Sequence, residues 1–142
     1  MIKEAKKYYK KFHSALRLRL KELEDPRYRE ANSLIDGEEG GRIALLAKTD
    51  QSGYIKARYF VFNKEFWIGR DPELNDLVLS ESSICLRHCR LCQYAGNFYI
   101  EDFASKNGTY LNGRRLQRRK QILLPDKCLL KFADLNFYFE AD

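Results

Sequence analysis

The sequence predicts an all-β sandwich preceded by an N-terminal amphipathic α-helix. The charge is distributed unevenly: residues 1–29 hold ten Lys and Arg against four Asp and Glu, whereas the remainder has sixteen of each sign. The first stretch has the apolar spacing of a helix. The remainder alternates short aromatic and β-branched runs with turn residues, which favours many short strands over crossover helices.

Residues 1–32 are predicted to be a basic amphipathic helix and the start of a linker. The a and d positions of a heptad repeat hold Ile2, Ala5, Tyr9, Phe12, Leu16 and Leu23. Pro26 after Asp25 is a helix stop. Three readings remain open: packing on the main domain, association of residues 1–29 with a helical partner or a second copy, or attachment to acidic lipid or nucleic acid. Residues 33–41, ending in Asp-Gly-Glu-Glu-Gly-Gly, are linker by composition.

Residues 42–142 carry the strand signals. These are YIKARYFVF, FWIG, LVL, RHCRLCQY, NFYIEDF, GTYLNG, QILL and CLLKFADLNFYFE. YAGNFY and LNGRR are hairpin signals, the second because Asn-Gly suits positive φ at both central positions of the turn. Leu-Pro-Asp-Lys is a turn that proline begins.

Composition excludes several functional classes. No apolar run approaches the 18 or so residues that span a bilayer, and the N-terminus lacks the apolar core of a signal peptide. Four cysteines without a secretion signal indicate free thiols, so we expect a cytoplasmic location. The sequence has two histidines, no Gly-rich phosphate loop before a helix and no Gly-x-Ser-x-Gly. We therefore expect a binding protein rather than an enzyme, with no cofactor.

Three cysteines and a histidine lie close together between Cys85 and Cys92. If residues 87–94 form a strand, Cys89 lies on one face and His88 and Cys92 on the other. A single ion cannot reach both Cys89 and Cys92, and no fourth soft ligand follows at a metal-site spacing. The pattern therefore predicts buried thiols and no metal or cluster.

The stretch WIGRDPELNDLVLSESSICLRHCRLCQYAGNFYIEDFASKNGTYLNG resembles the core of a forkhead-associated domain. Such domains show Gly-Arg after a strand, a Ser-Arg-x-His segment about fifteen residues on, and then Ser-x-Asn-Gly-Thr-x-x-Asn-Gly. The matching residues here are Gly69-Arg70, Cys85 to His88, and Ser105 to Gly113. The resemblance covers about 100 residues, from near Arg42 to the C-terminus. It implies an eleven-stranded β-sandwich that binds phosphothreonine peptides through loops at one end.

The resemblance also implies two sets of site residues. The phosphopeptide-binding set is Arg70, Ser83, Cys85, Arg87, Lys106 and Asn107. The architectural set is Gly69, His88, Gly108 and Thr109. In the first set Arg70 offers a rigid fork to the phosphate, and Asn107 holds the peptide backbone through its side-chain amide. The implied partner is a phosphothreonine-containing protein or peptide.

Two positions depart from the family pattern. Cys85 stands where the family has a serine that donates to phosphate, and a thiol is the weaker donor. Loss of one such hydrogen bond costs roughly 1 kcal/mol, or several-fold in affinity. Leu86 offers no donor at all, whereas the ammonium of Lys106 adds one. These departures motivate an alternative, a scaffold with phosphate-independent interactions or self-association.

A second basic feature is Arg114–Lys120, with five basic residues in seven. It is either a solvated hairpin tip or a local source of positive potential for acidic peptides or nucleic acid. Because no stacking-aromatic pattern accompanies it, we do not expect nucleic acid to be the partner.

Overall fold

The computed structural model describes residues 42–142, in which every regular element is a β-strand. The strands are β1 (Ala44–Thr49), β2 (Ile55–Val61), β3 (Glu65–Gly69), β4 (Leu77–Val78), β5 (Cys89–Tyr94), β6 (Asn97–Asp102), β7 (Thr109–Leu111), β8 (Arg114–Arg115), β9 (Gln121–Leu123), β10 (Lys127–Phe132) and β11 (Leu135–Ala141). The predicted all-β class is confirmed. The predicted helix in residues 1–32 and the linker in residues 33–41 lie outside the described residues.

The strands form two sheets that pack face to face. One sheet has six strands in the order β2-β1-β11-β10-β7-β8, and the other has five in the order β4-β3-β5-β6-β9. All pairings between these strands are antiparallel except β3 with β4. Residues alternate between the two faces of a strand, so every second residue points at the opposing sheet.

The core lies between the sheets and follows this alternation. In β10 the buried residues are Cys128, Leu130 and Phe132, with half-buried residues between them. Phe98 of the five-stranded sheet meets Phe139 of the six-stranded sheet edge to face, with ring centroids 5.4 Å apart. Complete burial of one such side chain contributes about 1.5–3 kcal/mol, so the apolar contact between the sheets is the main stabilising term.

Two tight hairpins confirm the turn predictions. Ala95 and Gly96 join β5 to β6 with φ values of 50° and 79°. Asn112 and Gly113 join β7 to β8 with φ values of 49° and 85°. Positive φ at both central positions gives a turn whose twist matches that of the flanking strands.

Two details differ from the sequence-based expectation. β1 was not among the strand signals, because four of its six residues form one uninterrupted buried run rather than an alternation. β5 begins at Cys89, so His88 precedes the strand and is fully buried instead of sharing the outer face with Cys92. The predicted separation of Cys89 from Cys92 is confirmed, since Cys89 is buried and Cys92 half-buried on the other face.

The sandwich has two distinct ends. At one end Arg42 donates to the carbonyl of Asp142 at 3.0 Å, and the Asp142 amide donates to the carbonyl of Ile43 at 2.8 Å. Loops 70–76, 79–88 and 103–108 gather at the other end, together with the β10–β11 turn at 133–134. No helix within residues 42–142 has the length and apolar character needed to cross a membrane.

Candidate functional site

The 70–76 loop and the 79–88 loop are joined directly after β3. The Arg70 amide donates to the carbonyl of Cys85 at 3.0 Å, and the Asp71 amide donates to the carbonyl of Leu86 at 3.2 Å. This approach needs Gly69, because a Cβ there would lie 2.4 Å from the Leu86 oxygen. Asn75 closes the same loop by donating from Nδ2 to the Leu86 carbonyl at 2.7 Å.

The side chain of Arg70 is exposed and is held by one hydrogen bond. Its Nε donates to the carbonyl of Ile84 at 3.0 Å, which fixes the plane of the guanidinium against the 79–88 loop. Among the described residues no acceptor takes its Nη1 or Nη2 protons, so the outer fork of the guanidinium faces solvent. Two parallel donors of this kind match a carboxylate or a phosphate.

Cys85 connects this pair of loops to the 103–108 loop. Its Sγ accepts a hydrogen bond from the Lys106 amide at 3.3 Å. The sulfur is half-buried, and its S–H group has no acceptor among the described residues. The Lys106 backbone is therefore held beside Cys85, and its exposed ammonium extends from the same loop as Asn107.

His88 provides the buried connection beneath these side chains. Its Nδ1 accepts from the Cys85 amide at 3.3 Å, so the proton of the neutral ring is on Nε2, which donates to the Gly108 carbonyl at 2.8 Å. Burial lowers the pKa of His88 from its ordinary value. The neutral ring thus joins the 79–88 loop to the 103–108 loop.

Asn107 and Ser83 form the far side of the site. Asn107 donates from Nδ2 to the Ser83 carbonyl at 2.8 Å, while the Ser83 hydroxyl donates to Asp134 Oδ1 at 2.7 Å. That hydroxyl bond lowers the pKa of Asp134. Tyr110 donates to the Asn107 carbonyl at 3.2 Å and fixes the backbone below the amide.

Asp102 organises the start of the 103–108 loop. Its carboxylate accepts from the Thr109 hydroxyl at 2.7 Å, from the Ser105 amide at 3.1 Å and from the Ser105 hydroxyl. All three residues are buried. Gly108 lies next to them with φ of 86°, and a Cβ there would come within 2.8 Å of Arg115 Nε. The loop is thereby fixed at both ends.

The chain is similar in sequence and in fold to known proteins. Residues 66–133 match the family model of the FHA (forkhead-associated) domain. The FHA domain of the CT664 protein from Chlamydia trachomatis is 27% identical with a TM-score of 0.60, over 70% of this chain and 96% of that one. The described sandwich has the sequence pattern and the fold of an FHA domain. FHA domains are interaction modules, which indicates that the described sandwich is a binding domain.

Further similar proteins include one solved complex and two curated proteins. The MEK1 FHA domain in complex with a HOP1 phosphothreonine peptide is 27% identical with a TM-score of 0.58, over 70% of this chain and 96% of that one. FhaB of Mycolicibacterium smegmatis is 30% identical over 80 residues, 56% of this chain and 51% of that protein. An FHA domain-containing protein of Arabidopsis thaliana is 30% identical over 67 residues, 47% of this chain and 17% of that protein. The chain spans about half or less of the length of these two curated relatives.

The loops at this end bring together five of the six residues expected to bind phosphopeptide, and Arg87 is the exception. Its guanidinium lies 3.9 Å from the centre of the Trp67 ring, and Nη2 donates to the Leu74 carbonyl at 3.4 Å. The aromatic face attracts the cation and holds it on the outside of the five-stranded sheet. Arg87 is close to Cys85 in sequence, yet its side chain points away from the site, because the chain changes direction there to enter β5 after His88.

Three residues of the site were not expected from the sequence. Asn75, Asp102 and Asp134 each fix a loop that carries a site residue. Asn75 and Asp134 reach partners 11 and 51 positions away, a pairing for which one sequence carries no signal. Among residues 42–142 no group of three or more His, Cys, Asp and Glu side chains is arranged to hold a metal ion.

Proposed function

We propose that this FHA domain binds phosphothreonine peptides and so mediates protein–protein interaction in signalling or complex assembly. The observation that carries the proposal is the guanidinium of Arg70, fixed by one hydrogen bond to the Ile84 carbonyl with its outer fork free. A fixed fork loses little entropy when it binds a dianionic phosphate. The MEK1 FHA domain, which shares this fold, is complexed with a phosphothreonine peptide, and this supports the proposal.

The remaining residues have separate roles in this proposal. Lys106 supplies a second cation and Cys85 an S–H donor to the phosphate. Asn107, supported from below by the Ser83 carbonyl, holds the peptide backbone with the free part of its amide. Ser83 contributes through its carbonyl, since its hydroxyl is bound to Asp134. Gly69, His88, Gly108 and Thr109 hold the loops.

We also propose how the rest of the chain relates to this domain. Residues 42–142 are the FHA domain, residues 33–41 a linker and residues 1–32 a basic amphipathic helix. Through residues 1–29 the chain contacts a helical partner or a second copy. We propose a cytoplasmic location, which the four cysteines without a secretion signal support. We also propose that the domain has no catalytic activity, since the site holds donors for an anion and no nucleophile paired with a base.

The test is binding of the full chain to a degenerate phosphothreonine peptide library and to its unphosphorylated counterpart. Arg70→Ala removes a charge-assisted, bidentate contact and should weaken phosphopeptide binding roughly 100-fold, about 3 kcal/mol. Arg87→Ala removes the same charge from the Trp67 face and should leave affinity within about twofold. Cys85→Ser restores a stronger donor and should tighten binding several-fold.

A specific observation favours the phosphate-independent alternative. Leu86 is 51% exposed at the edge of the site, where it gives the loop an apolar contact and no donor. Equal capture of both libraries, unaffected by Arg70→Ala, would overturn the phosphopeptide proposal. The site would then be an FHA scaffold whose loops bind a partner or a second copy without phosphate.

A further inference from the structure

The charge around the site is divided between its two sides. From residue 103 to residue 125 the chain has six Lys and Arg and not one Asp or Glu. From residue 71 to residue 81 it has four Asp and Glu and no Lys or Arg, and one of the four, Glu81, is paired with Lys48 at 3.1 Å. The first stretch includes the 103–108 loop with Lys106 and Asn107, and the second includes most of the 70–76 loop that follows Arg70. A ligand in the site would therefore face a basic stretch of the protein on one side and an acidic stretch on the other.

The basic side is built onto the site rather than extended into solvent as a hairpin tip. Arg115 donates from Nη2 to the Lys106 carbonyl at 3.2 Å and lies over Gly108. The Arg119 amide donates to the Asp102 carbonyl at 2.8 Å, and its guanidinium lies 4.4 Å from the centre of the Phe103 ring. The segment Arg114–Lys120, which we name the basic loop, thus follows the 103–108 loop along its length.

The cations of the basic loop have few partners within the domain. The ion pairs formed between residues 42–142 involve none of the five. Arg114, Arg118 and Lys120 are exposed, and their side chains make no hydrogen bond to another described residue. Exposed cations without a carboxylate nearby raise the local positive potential and attract anions.

We propose that the basic loop is a second anion-recognition surface, which selects phosphothreonine peptides with acidic groups on one side of the phosphothreonine. The inference rests on the proposed function, since the phosphothreonine places the peptide. The recognised groups are carboxylates or further phosphates, both of which suit guanidinium donors. Asp71, Glu73 and Asp76, the carboxylates of this stretch outside the Lys48–Glu81 pair, repel such groups on the other side, so the preference has a direction.

The test uses the full chain and a set of synthetic peptides with one phosphothreonine. One peptide has alanines on both sides, one has glutamates only before the phosphothreonine, and one has glutamates only after it. We expect one of the two acidic peptides to bind about tenfold more tightly than the alanine peptide, because each exposed charge pair contributes a few-fold. The other acidic peptide should gain nothing, and the gain should shrink in high salt.

Matched variants locate the effect. Arg118→Gln with Lys120→Gln removes two charges from the basic loop and should abolish most of the gain. The control, Lys56→Gln with Lys64→Gln, removes two charges from β2 and the β2–β3 turn. Because β2 and β8 are the two opposite edges of the six-stranded sheet, this control should keep the gain in affinity for the acidic peptide. Binding of the alanine peptide should stay unchanged in both, which also shows that both variants fold. Replacing one glutamate with phosphoserine distinguishes carboxylate from phosphate as the preferred group.

Three results would overturn this inference and leave the proposed function intact. These are equal affinity for all three peptides, equal gains from both acidic peptides, or a gain that survives Arg118→Gln with Lys120→Gln. Tight binding of a single-stranded oligonucleotide, lost in that variant while acidic peptides gain nothing, would make the basic loop a nucleic-acid surface instead. Failure of the alanine peptide to bind at all would count against the proposed function itself.

Discussion

At the residue scale, His88 shows how a buried side chain can determine the shape of an exposed site. Both of its ring nitrogens are engaged, one as acceptor from Cys85 and the other as donor to Gly108. A second proton on the ring would replace the acceptor at Nδ1 with a donor that faces the Cys85 amide. The geometry therefore requires the neutral form of the ring.

This requirement makes the stability of the domain depend on pH. Because the pKa of His88 in the folded state lies below its ordinary value of 6.5, the unfolded chain takes up the proton first as pH falls. The free energy of unfolding should be greatest above pH 6.5 and should decline below it until the pH reaches the lowered folded-state pKa. The slope from this group is at most about 1.4 kcal/mol per pH unit.

Urea denaturation across this pH range, compared with His88→Asn, measures the effect. The variant should have lower stability near neutral pH but a flatter profile, and His13 contributes equally to both proteins. Parallel profiles for the two proteins would show that His88 is not the group responsible.

At the scale of elements, the strands and tight turns could be predicted from the sequence and the contacts between loops could not. The alternation in β10 and the Asn112-Gly113 turn follow from local rules of backbone geometry. β1 did not follow these rules because this interior strand, paired on both sides, is buried along most of its length. The placement of Arg87 on Trp67 depends on where β5 begins, because residues that precede the strand do not follow its alternation of faces.

The hydrogen bonds of Asp102 offer a test at this scale. Thr109→Val keeps the shape of the side chain and removes the donor at 2.7 Å, which should lower the free energy of unfolding by about 1.5–3 kcal/mol. Thr49→Val is the matched control, since its hydroxyl makes only a 3.4 Å contact to the Asn136 carbonyl. Urea denaturation of both variants gives the difference. If Thr109→Val costs no more than Thr49→Val, the Asp102 network does not stabilise the loop.

At the scale of the whole molecule, the four cysteines report on different parts of the sandwich. Cys89 and Cys128 are fully buried, and burial raises the pKa of each thiol. Cys85 and Cys92 are half-buried, at the site and on the outer face of the five-stranded sheet. Only the thiolate reacts with an alkylating reagent, so buried thiols react after the domain opens.

Alkylation followed by mass spectrometry should therefore label Cys85 and Cys92 in the native protein. Cys89 and Cys128 should be labelled only at the rate at which the whole domain unfolds. A bound phosphothreonine peptide should protect Cys85 and leave the rate at Cys92 unchanged. Labelling of Cys128 as fast as Cys92 in native buffer would mean that the two sheets separate without complete unfolding.

The hydrogen bonds between residues 42–43 and residue 142 have a mechanical consequence. β1 and β11 are antiparallel neighbours, and Ala44 is paired with Ala141 at the end where both lead away from the sandwich. A pulling force applied through residues 42 and 142 would therefore act across this pair and open its hydrogen bonds one after another, like a zipper. Resistance to stretching is low in this geometry, even though both strands are interior strands of the six-stranded sheet.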